Sequence, residues 1–389
     1  MRPLYFDHNA TTPIAPQVRQ AMLPLLDEVF GNPSSGHAWG LDAKEALEAA
    51  RRQVAELIHA EPDEIVFTSC ATEANNMVIQ GLLRPTSSIP APHLVTSAVE
   101  HPSVLAPAQA MARLGARLSL LPVSQDGLFH PSDAFNALTP DTKLVSVMLA
   151  NNETGAIQPV WELADICRQQ GILLHTDASQ AAGKIPVDVQ RLGVDLLTLA
   201  GHKLNGPKGV GALYIRRGVQ LPLLLHGGGQ ERGRRPGTEN TLLCVGLGAA
   251  CGLARQHLEE EMARRRRLGD VLLDGLHRLG ADFRIFGHNA PRLPNTLLAG
   301  FRNMDAGRLV EGLALRDVAV SAGAACHGPG ASNSPANGPV ISHVLEAMHA
   351  PRDYAAGSIR FSWGLGTTRD DVLELVERLG RVLQDQPDA

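Results

Sequence analysis

The sequence contains little lysine and no excess of positive charge. Lysine occurs only at positions 44, 143, 184, 203 and 208, against a large excess of arginine. A lysine at the end of an apolar run, among glycines, is therefore a candidate for chemistry rather than for the surface. The formal net charge of −5 does not indicate the positively charged surface that binds nucleic acid or an anionic membrane. We expect neither as a partner.

Paired cysteines and long apolar runs are also absent from the sequence. The cysteines are five in number and show no paired pattern, which predicts free thiols in a reducing compartment. No window approaches the length of a membrane span, and residues 1–13 lack the apolar stretch of a signal peptide. We therefore expect a cytoplasmic protein. The cysteines are Cys70, Cys167, Cys244, Cys251 and Cys326.

Strand-like and helix-like segments alternate from about residue 42 to residue 215. This alternation predicts an α/β fold with a mostly parallel sheet and helices on both faces. A long helical region over about 241–279 is followed by further segments that predict a smaller α+β domain. We expect a large domain of residues 15–260 and a small domain of residues 1–14 and 261–389. The predicted strands of the large domain are 64–68, 93–97, 118–122, 144–150, 172–175 and 195–199, and its predicted helices include 41–59, 71–83 and 103–114.

Two of these apolar runs are followed by chemically active side chains, one by a carboxylate and the other by a lysine. Asp177 follows the run that begins at Ile172, and Lys203 follows the run 195–199 within Ala200-Gly201-His202-Lys203. Open α/β sheets hold their ligands at such strand ends. A pyridoxal 5′-phosphate (PLP) enzyme needs this pair, because the lysine forms the Schiff base and the acid partners the pyridinium nitrogen. The alternative interpretation of the same spacing is an ordinary ion pair between Asp177 and Lys203 at a loop.

Three further segments after predicted strands carry polar groups, and each has a structural alternative. Residues 68–73, TSCATE, open a predicted helix, where backbone N–H groups suit a phosphate, although a plain helix cap has the same pattern. His101 could stack on a flat cofactor ring, act as a base, or be structural. The amides of residues 151–155, NNETG, could bind a phenolate oxygen, but such turns are common without function.

The remaining candidates lie further along the chain. Residues 227–240 are glycine-rich and basic and could serve an anion, but they lack the lysine of an ATP-type loop, so we reject nucleotide binding. Cys326 precedes residues 327–339, a segment of turn formers that predicts a flexible and functional loop. A thiol there can act as a thiolate nucleophile, or it is incidental. Arg360 is a lone arginine in a strand-like run and is expected to grip a carboxylate.

Taken in order, these motifs resemble the PLP-dependent cysteine desulfurase and selenocysteine lyase family, within the class V aminotransferase group. The resemblance spans nearly the whole chain and implies a PLP-dependent transferase fold of type I. The motifs are YFDHNATTP from Tyr5, GNPSSGH from Gly31, TSCATE, VEHPSV, NNETG, HTDASQ, GHKLNGPKG, GGGQERGRRPGTEN, RLPNT from Arg292, SAGAACH and IRFSWG.

The resemblance also implies roles for individual residues. Lys203 would hold PLP, Asp177 would pair with the pyridinium nitrogen, and His101 would stack on the ring. Arg360, with Asn152, would bind the substrate, and Cys326 would receive the chalcogen or assist its release. Residues implied at the phenolic oxygen are Gln180 and Asn152, and those implied at the phosphate are Ala71, Thr72, His202 and, from the other subunit of a homodimer, Thr238.

Three departures from the family pattern bear on these roles. Ala200 stands where many relatives carry a serine, which predicts one missing phosphate hydrogen bond, and Cys70 stands in place of a glycine. The stretch from Cys326 to residues 342–345 is longer than in the desulfurases, and the SAGAACH wording is closer to selenocysteine lyases. We favour a cysteine desulfurase that passes a persulfide to an acceptor protein, as in iron–sulfur cluster assembly, and keep a selenocysteine lyase as the alternative.

A third hypothesis is a PLP-free binding protein or metal-site protein. Its ligands would be drawn from several histidines and one cysteine, but no pair among them has the ligand spacing of a closed zinc site. This hypothesis also assigns no role to Asp177 and Lys203, so we predict no metal site. The residues in question are His8, His37, His101, His202, Cys326 and His327.

Overall fold

A computed structural model describes residues 2–87, 89, 91–323 and 341–385. The strands are β1 (Leu4–Tyr5), β2 (Ile65–Thr68), β3 (His93–Ser97), β4 (Arg117–Leu121), β5 (Thr142–Ser146), β6 (Leu173–Asp177), β7 (Leu196–Ala200), β8 (Gly211–Ile215), β9 (Phe283–Phe286), β10 (Thr296–Phe301), β11 (Val318–Ala319), β12 (Ser321–Ala322) and β13 (Ser358–Ser362).

The helices alternate with the strands through the first two thirds of the chain. They are α1 (Pro16–Met22), α2 (Pro24–Asp27), α3 (Ala38–Leu57), α4 (Ala71–Leu83), α5 (Pro102–Arg113), α6 (Pro131–Ala137), α7 (Trp161–Gln170), α8 (Val189–Leu192), α9 (Thr241–Arg278), α10 (Ala306–Ala314), α11 (His343–Ala347), α12 (Arg352–Ala355) and α13 (Arg369–Asp385). Short 3₁₀ turns lie at Pro62–Glu64, Gly201–Lys203 and Glu231–Gly233.

The large sheet has the strand order β2-β8-β7-β6-β5-β3-β4 within the described part of the chain. The strands from β7 to β4 in that order pair in parallel, whereas β8 pairs antiparallel with both β7 and β2. The interior strands β3, β7 and β8 are buried throughout, as expected for a sheet covered on both faces. The predicted α/β fold with a mostly parallel sheet is therefore confirmed.

Helices cover the two faces of this sheet because side chains alternate along each strand. On β7, Leu196 packs into a cluster with α4 and α5, whereas Leu197 packs into the cluster on the opposite face. The same alternation separates Leu213 from Tyr214 on β8. Burial on both faces explains why these strands have continuous apolar sequences rather than an alternating pattern.

A four-stranded antiparallel sheet of order β12-β13-β10-β9 has a core of its own among the described residues. Leu4 and Phe6 from the start of the chain pack into this core, and β1 pairs with β11. Helix α9 contributes Cys251 to the core of the large sheet and Leu272 to the core of the small one. The predicted domain boundary after residue 260 lies inside this continuous helix, and the division into two domains stays a prediction.

The structure corrects several predicted boundaries. Helix α3 begins at Ala38, three residues before its predicted start, with the His37 side chain as its cap. Strand β5 occupies Thr142–Ser146 rather than 144–150, although the Leu149 N–H still donates to the Asp177 carbonyl. The sequence analysis missed β8, because a short strand that returns antiparallel belongs to no βα unit. Among the described helices, none has the length and apolar character needed to cross a bilayer.

Candidate active site

A cavity of about 390 Å³ opens at the carboxyl end of the large sheet. Most of its wall consists of residues at or after the ends of β2, β3, β5, β6 and β7, where parallel α/β sheets place their ligands. The N-terminal segment, β12 and β13 complete the wall. The structure thus brings together most of the residues singled out from sequence: Ala71, Thr72, His101, Asn152, Asp177, Gln180, His202, Lys203 and Arg360.

Lys203 lies in the 3₁₀ turn that directly follows β7. Its Nζ donates to the backbone carbonyls of Asn9 at 2.5 Å and Ala10 at 2.8 Å. These contacts hold the amine at the cavity wall, against a segment nearly 200 residues away in the chain. The arrangement leaves the lysine at the position required of a covalent attachment point.

Asp177 is the last residue of β6, and its side chain is held at the cavity by two donors. Asn75 of α4 donates from Nδ2 to Oδ2 at 2.8 Å, and the Ser179 N–H donates to Oδ1 at 2.9 Å. Asp177 is 7% exposed. Hydrogen bonds from neutral groups fix the orientation of the carboxylate without neutralising its charge, so it can partner a cationic ring nitrogen.

His101 caps helix α5 from the wall of the cavity. The Ser103 N–H donates to His101 Nδ1 at 3.1 Å, so Nδ1 is an acceptor and the ring proton of the neutral imidazole is on Nε2. Burial lowers the pKa of His101, the Lys203 cation lowers it further, and Asp177 opposes the shift. A neutral flat ring at this position is suited to stack on another ring.

Helix α4 directs its first turn at one end of the cavity. Its N-cap, Cys70, makes no capping hydrogen bond through its side chain to another described residue, so backbone N–H groups of the first turn are available to an anion. The φ of −173° at Cys70 is extended backbone, which explains why a residue other than glycine fits there. Thr72 and His202 flank this end, and Ala200 contributes no hydroxyl.

The His202 side chain is held by the N-terminal segment. Its Nδ1 lies 3.3 Å from Thr11 Oγ1. Burial lowers the pKa of His202 to about 4, and the nearby Lys203 and Lys208 cations act in the same direction. The imidazole is therefore neutral at physiological pH and can present an N–H donor to an anion.

Arg360 reaches the cavity from β13 of the small sheet. Its Nη2 donates to Asp7 Oδ1 at 2.7 Å and its Nη1 to the Asn152 carbonyl at 3.1 Å. The residue is 4% exposed, and its Nε has no hydrogen-bond partner among the residues that the structure describes. A guanidinium fixed on two sides in this way retains capacity to bind a carboxylate from the cavity.

Two predicted site residues are not part of this cavity wall. Thr238 is exposed and lines a different, smaller depression with Ser69 and Arg235. Cys326, with residues 327–339, lies outside the described residues.

Sequence reasoning missed four residues that organise the site. Asp7 and Asn9 belong to the YFDHNATTP motif, in which the sequence alone predicts no role for either side chain. Asn75 holds Asp177, and Lys184 contacts Gln180. The only available signals were the motif itself and, for Lys184, the scarcity of lysine. All four act on partners that the sequence does not reveal.

The class V aminotransferase family model matches residues 4–375. The chain belongs to this family. A relative within it, the cysteine desulfurase IscS of Dictyoglomus turgidum, is 43% identical over 98% of this chain and 95% of its own length. The solved structure titled "NIFS-like protein" superposes with a TM-score of 0.90 at 35% identity, covering 99% of this chain and all of the other.

A further similar structure was solved with cysteine. It is titled "SspA in complex with cysteine" and is 34% identical to this chain, with a TM-score of 0.79. The match covers 92% of this chain and 98% of that one. This chain is thus similar over most of its length to a protein solved with cysteine.

Proposed function

We propose that this protein is a PLP-dependent cysteine desulfurase, which removes sulfur from L-cysteine and leaves L-alanine. The observation that carries the proposal is the meeting of Lys203, Asp177 and Arg360 around one cavity. They supply a covalent attachment point, a carboxylate and a buried guanidinium. The relatives named as cysteine desulfurases support the same activity.

The residues around the cavity fit PLP from one end to the other. Lys203 would hold the cofactor covalently, Asp177 would pair with its ring nitrogen, and His101 would stack on the ring. The open first turn of α4, with Thr72 and His202, suits the phosphate. When bound, PLP supplies an electron sink for the bonds around the substrate α-carbon. The side-chain amides of Gln180 and Asn152 would contact the phenolic oxygen.

Arg360 would bind the substrate α-carboxylate. Its Nη atoms are engaged by Asp7 and Asn152, so its orientation is set before the substrate arrives. Burial strengthens a charge-assisted hydrogen bond to a carboxylate, because few water molecules compete for it. This contact would select amino acids and orient the substrate side chain within the cavity.

Cys326 would remove the sulfur. Its thiolate attacks the substrate sulfur, an S–S bond forms, and the C–S bond of the substrate breaks. The carbon that loses sulfur keeps the electron pair and takes up a proton, which gives alanine. The persulfide on Cys326 is then discharged to a thiol reductant or to an acceptor protein, as in iron–sulfur cluster assembly.

A homodimer in the cytoplasm is the assembly that we propose. Thr238 lies away from the cavity of its own chain, which supports a role at the phosphate of the partner's site. Several large apolar side chains near the start of the chain are exposed, and such surface is typical of interfaces. They are Leu26 at 59%, Phe30 at 70%, Trp39 at 57% and Leu41 at 54% exposure.

The test is alanine and sulfide production from L-cysteine in the presence of a reductant. We expect wild-type protein to be yellow and active, and Lys203→Ala to lose both the visible band and turnover. Cys326→Ala should keep bound PLP yet lose activity on cysteine, since it lacks the nucleophile. Lys44→Ala, at an exposed helix position, is the matched control for the lysine variant.

Two results would contradict the proposal. One is reductive trapping of PLP on Lys184 or Lys208 instead of Lys203. The other is high wild-type turnover of selenocysteine with none of cysteine, which would establish the selenocysteine lyase instead. Retention of selenocysteine activity by Cys326→Ala alone does not separate the two activities, because selenium release depends less on this thiol.

A further inference from the structure

Lys184 lies directly behind the wall of the proposed active site. It is 3% exposed, and its Nζ donates to Gln180 Oε1 at 2.7 Å and to Asn9 Oδ1 at 3.0 Å. The side chain borders an adjoining cavity of about 310 Å³ rather than the site cavity itself. Lys184 thus touches residues of the site without facing the space that the substrate would occupy.

Backbone carbonyls fix the orientation of both amides that Lys184 contacts. Gln180 Nε2 donates to the Asn9 carbonyl at 3.0 Å, and Asn9 Nδ2 donates to the Asn152 carbonyl at 3.2 Å. A carbonyl can only accept, so the nitrogen of each amide must face it. The two amide oxygens therefore face Lys184, which must donate to both.

The second N–H of Gln180 remains for the cavity. An amide nitrogen carries two hydrogens, and the Asn9 carbonyl takes one of them. Gln180 also lines the site cavity. With its oxygen held by Lys184, the amide can present only a donor there, which suits an anionic oxygen.

We propose that Lys184 is a positioning residue, which locks the Gln180 amide so that its free N–H faces the phenolic oxygen of the cofactor. This inference rests on the proposed function, because it needs PLP in the cavity. Without the two hydrogen bonds from Lys184, the Gln180 amide oxygen loses the donor that holds it, and the Asn9 amide oxygen keeps only the longer bond from Asn295 Nδ2 at 3.4 Å. The Gln180 amide can then rotate, so that its own oxygen, rather than its N–H, faces the phenolic oxygen of the cofactor.

The electrostatic surroundings of Lys184 agree with this role. Burial lowers the pKa of its ammonium well below the usual value, and the cations Lys203, Arg265 and Arg360 act in the same direction. Burying a lysine at such a position costs stability unless hydrogen bonds and nearby negative charge compensate it. An anionic ring oxygen on the far side of Gln180 would offset part of that cost.

The experiment is a double-mutant cycle read out by PLP binding rather than by turnover. Protein stripped of PLP is titrated with the cofactor, and visible absorbance gives the dissociation constant and the band position. Lys184→Met should raise the dissociation constant about tenfold, the size expected for a lost buried hydrogen bond, and shift the band. In a Gln180→Ala background, Lys184→Met should change the dissociation constant for PLP by less than about twofold.

Controls separate this inference from its alternatives. Lys44→Met makes the same substitution at an exposed lysine and should bind PLP as the wild type does. If Lys184→Met proves unfolded by circular dichroism, Lys184→Gln replaces it in the same cycle: because it keeps an uncharged donor, it should raise the dissociation constant less than tenfold, and that effect should still disappear in the Gln180→Ala background. Wild type that binds no PLP would refute the proposed function itself. Wild type that binds PLP, with Lys184→Met unchanged or with independent effects in the cycle, would overturn only the role of Lys184.

Discussion

At the scale of single residues, Glu100 is a titratable group buried completely beside the site. Its Oε1 accepts from Ser97 Oγ at 2.6 Å and from the Met148 N–H at 2.9 Å. Its Oε2 has no partner among the described residues. Burial raises the pKa of Glu100 to about 8, and the negative charge of Asp177 adds to the shift. The side chain is therefore protonated at neutral pH in the folded protein.

This shift predicts a loss of stability as pH rises. The folded state keeps a proton on Glu100 that the unfolded chain releases near pH 4.5. The contribution of this proton to the free energy of unfolding is therefore fully present below pH 4.5 and is lost as pH rises through about 8. Glu100→Gln keeps an acceptor oxygen and cannot ionise. At pH 9 we expect the variant to exceed the wild type in free energy of unfolding by at least about 1.4 kcal/mol, one pKa unit.

Urea unfolding of both proteins at pH 5, 7 and 9 measures this difference. Other buried acids, such as Glu153, whose pKa burial raises to about 7, contribute equally to both proteins and cancel in the comparison. The interpretation fails if the two stability curves run parallel across this pH range.

At the scale of elements, the position of α4 depends on a close approach from β8. A Cβ built on Gly211 would lie 2.7 Å from the carbonyl carbon of Cys70 and 2.9 Å from the Ala71 nitrogen. Only a residue without a side chain lets the first turn of the helix sit so near the strand. The antiparallel return of β8 thus sets where the proposed phosphate site lies.

Gly211→Ala should therefore weaken both the fold and the site. The clash is with backbone, which cannot rotate away, so we expect a loss of roughly 1–3 kcal/mol in the free energy of unfolding. The displaced helix start should also raise the dissociation constant for PLP. Gly36→Ala is the control, because a Cβ there has nothing within 4 Å. Thermal unfolding and PLP titration measure both effects, and equal behaviour of the two variants would contradict this account.

At the scale of the whole molecule, a shared site predicts complementation between defective subunits. Lys203→Ala and Thr238→Ala each damage both sites of their own homodimer. In a mixed dimer one site carries both defects and the other carries neither, if Thr238 serves the partner's site. Random mixing should restore about a quarter of the wild-type activity, given a two-fold symmetric dimer.

Activity measured after subunit exchange, alongside light scattering, decides this prediction. Unmixed variants at the same total concentration provide the baseline. No gain on mixing, in samples shown to contain mixed dimers, would place Thr238 in the site of its own chain or in none. A fully active monomer in light scattering would remove the shared site altogether.

The sequence by itself determined the α/β class of the fold and the strand-end positions of Asp177 and Lys203. Both follow from local patterns, because an apolar run reports the burial of its own segment and parallel strands end at the same edge of a sheet. For the same reason His101 and the start of α4 could be placed near them.

Only the tertiary structure decided which distant residues meet at that edge. Asp7 forms an ion pair with Arg360, more than 350 residues away in the chain. Asn9 accepts hydrogen bonds from Lys184, Gln180 and Lys203. These contacts exist because Leu4 and Phe6 pack into the core of the small sheet, whereas the Thr12 N–H, a few residues later, donates to the His202 carbonyl just after β7 of the large sheet. No local periodicity encodes such a crossing, since it depends on how two separate cores pack together.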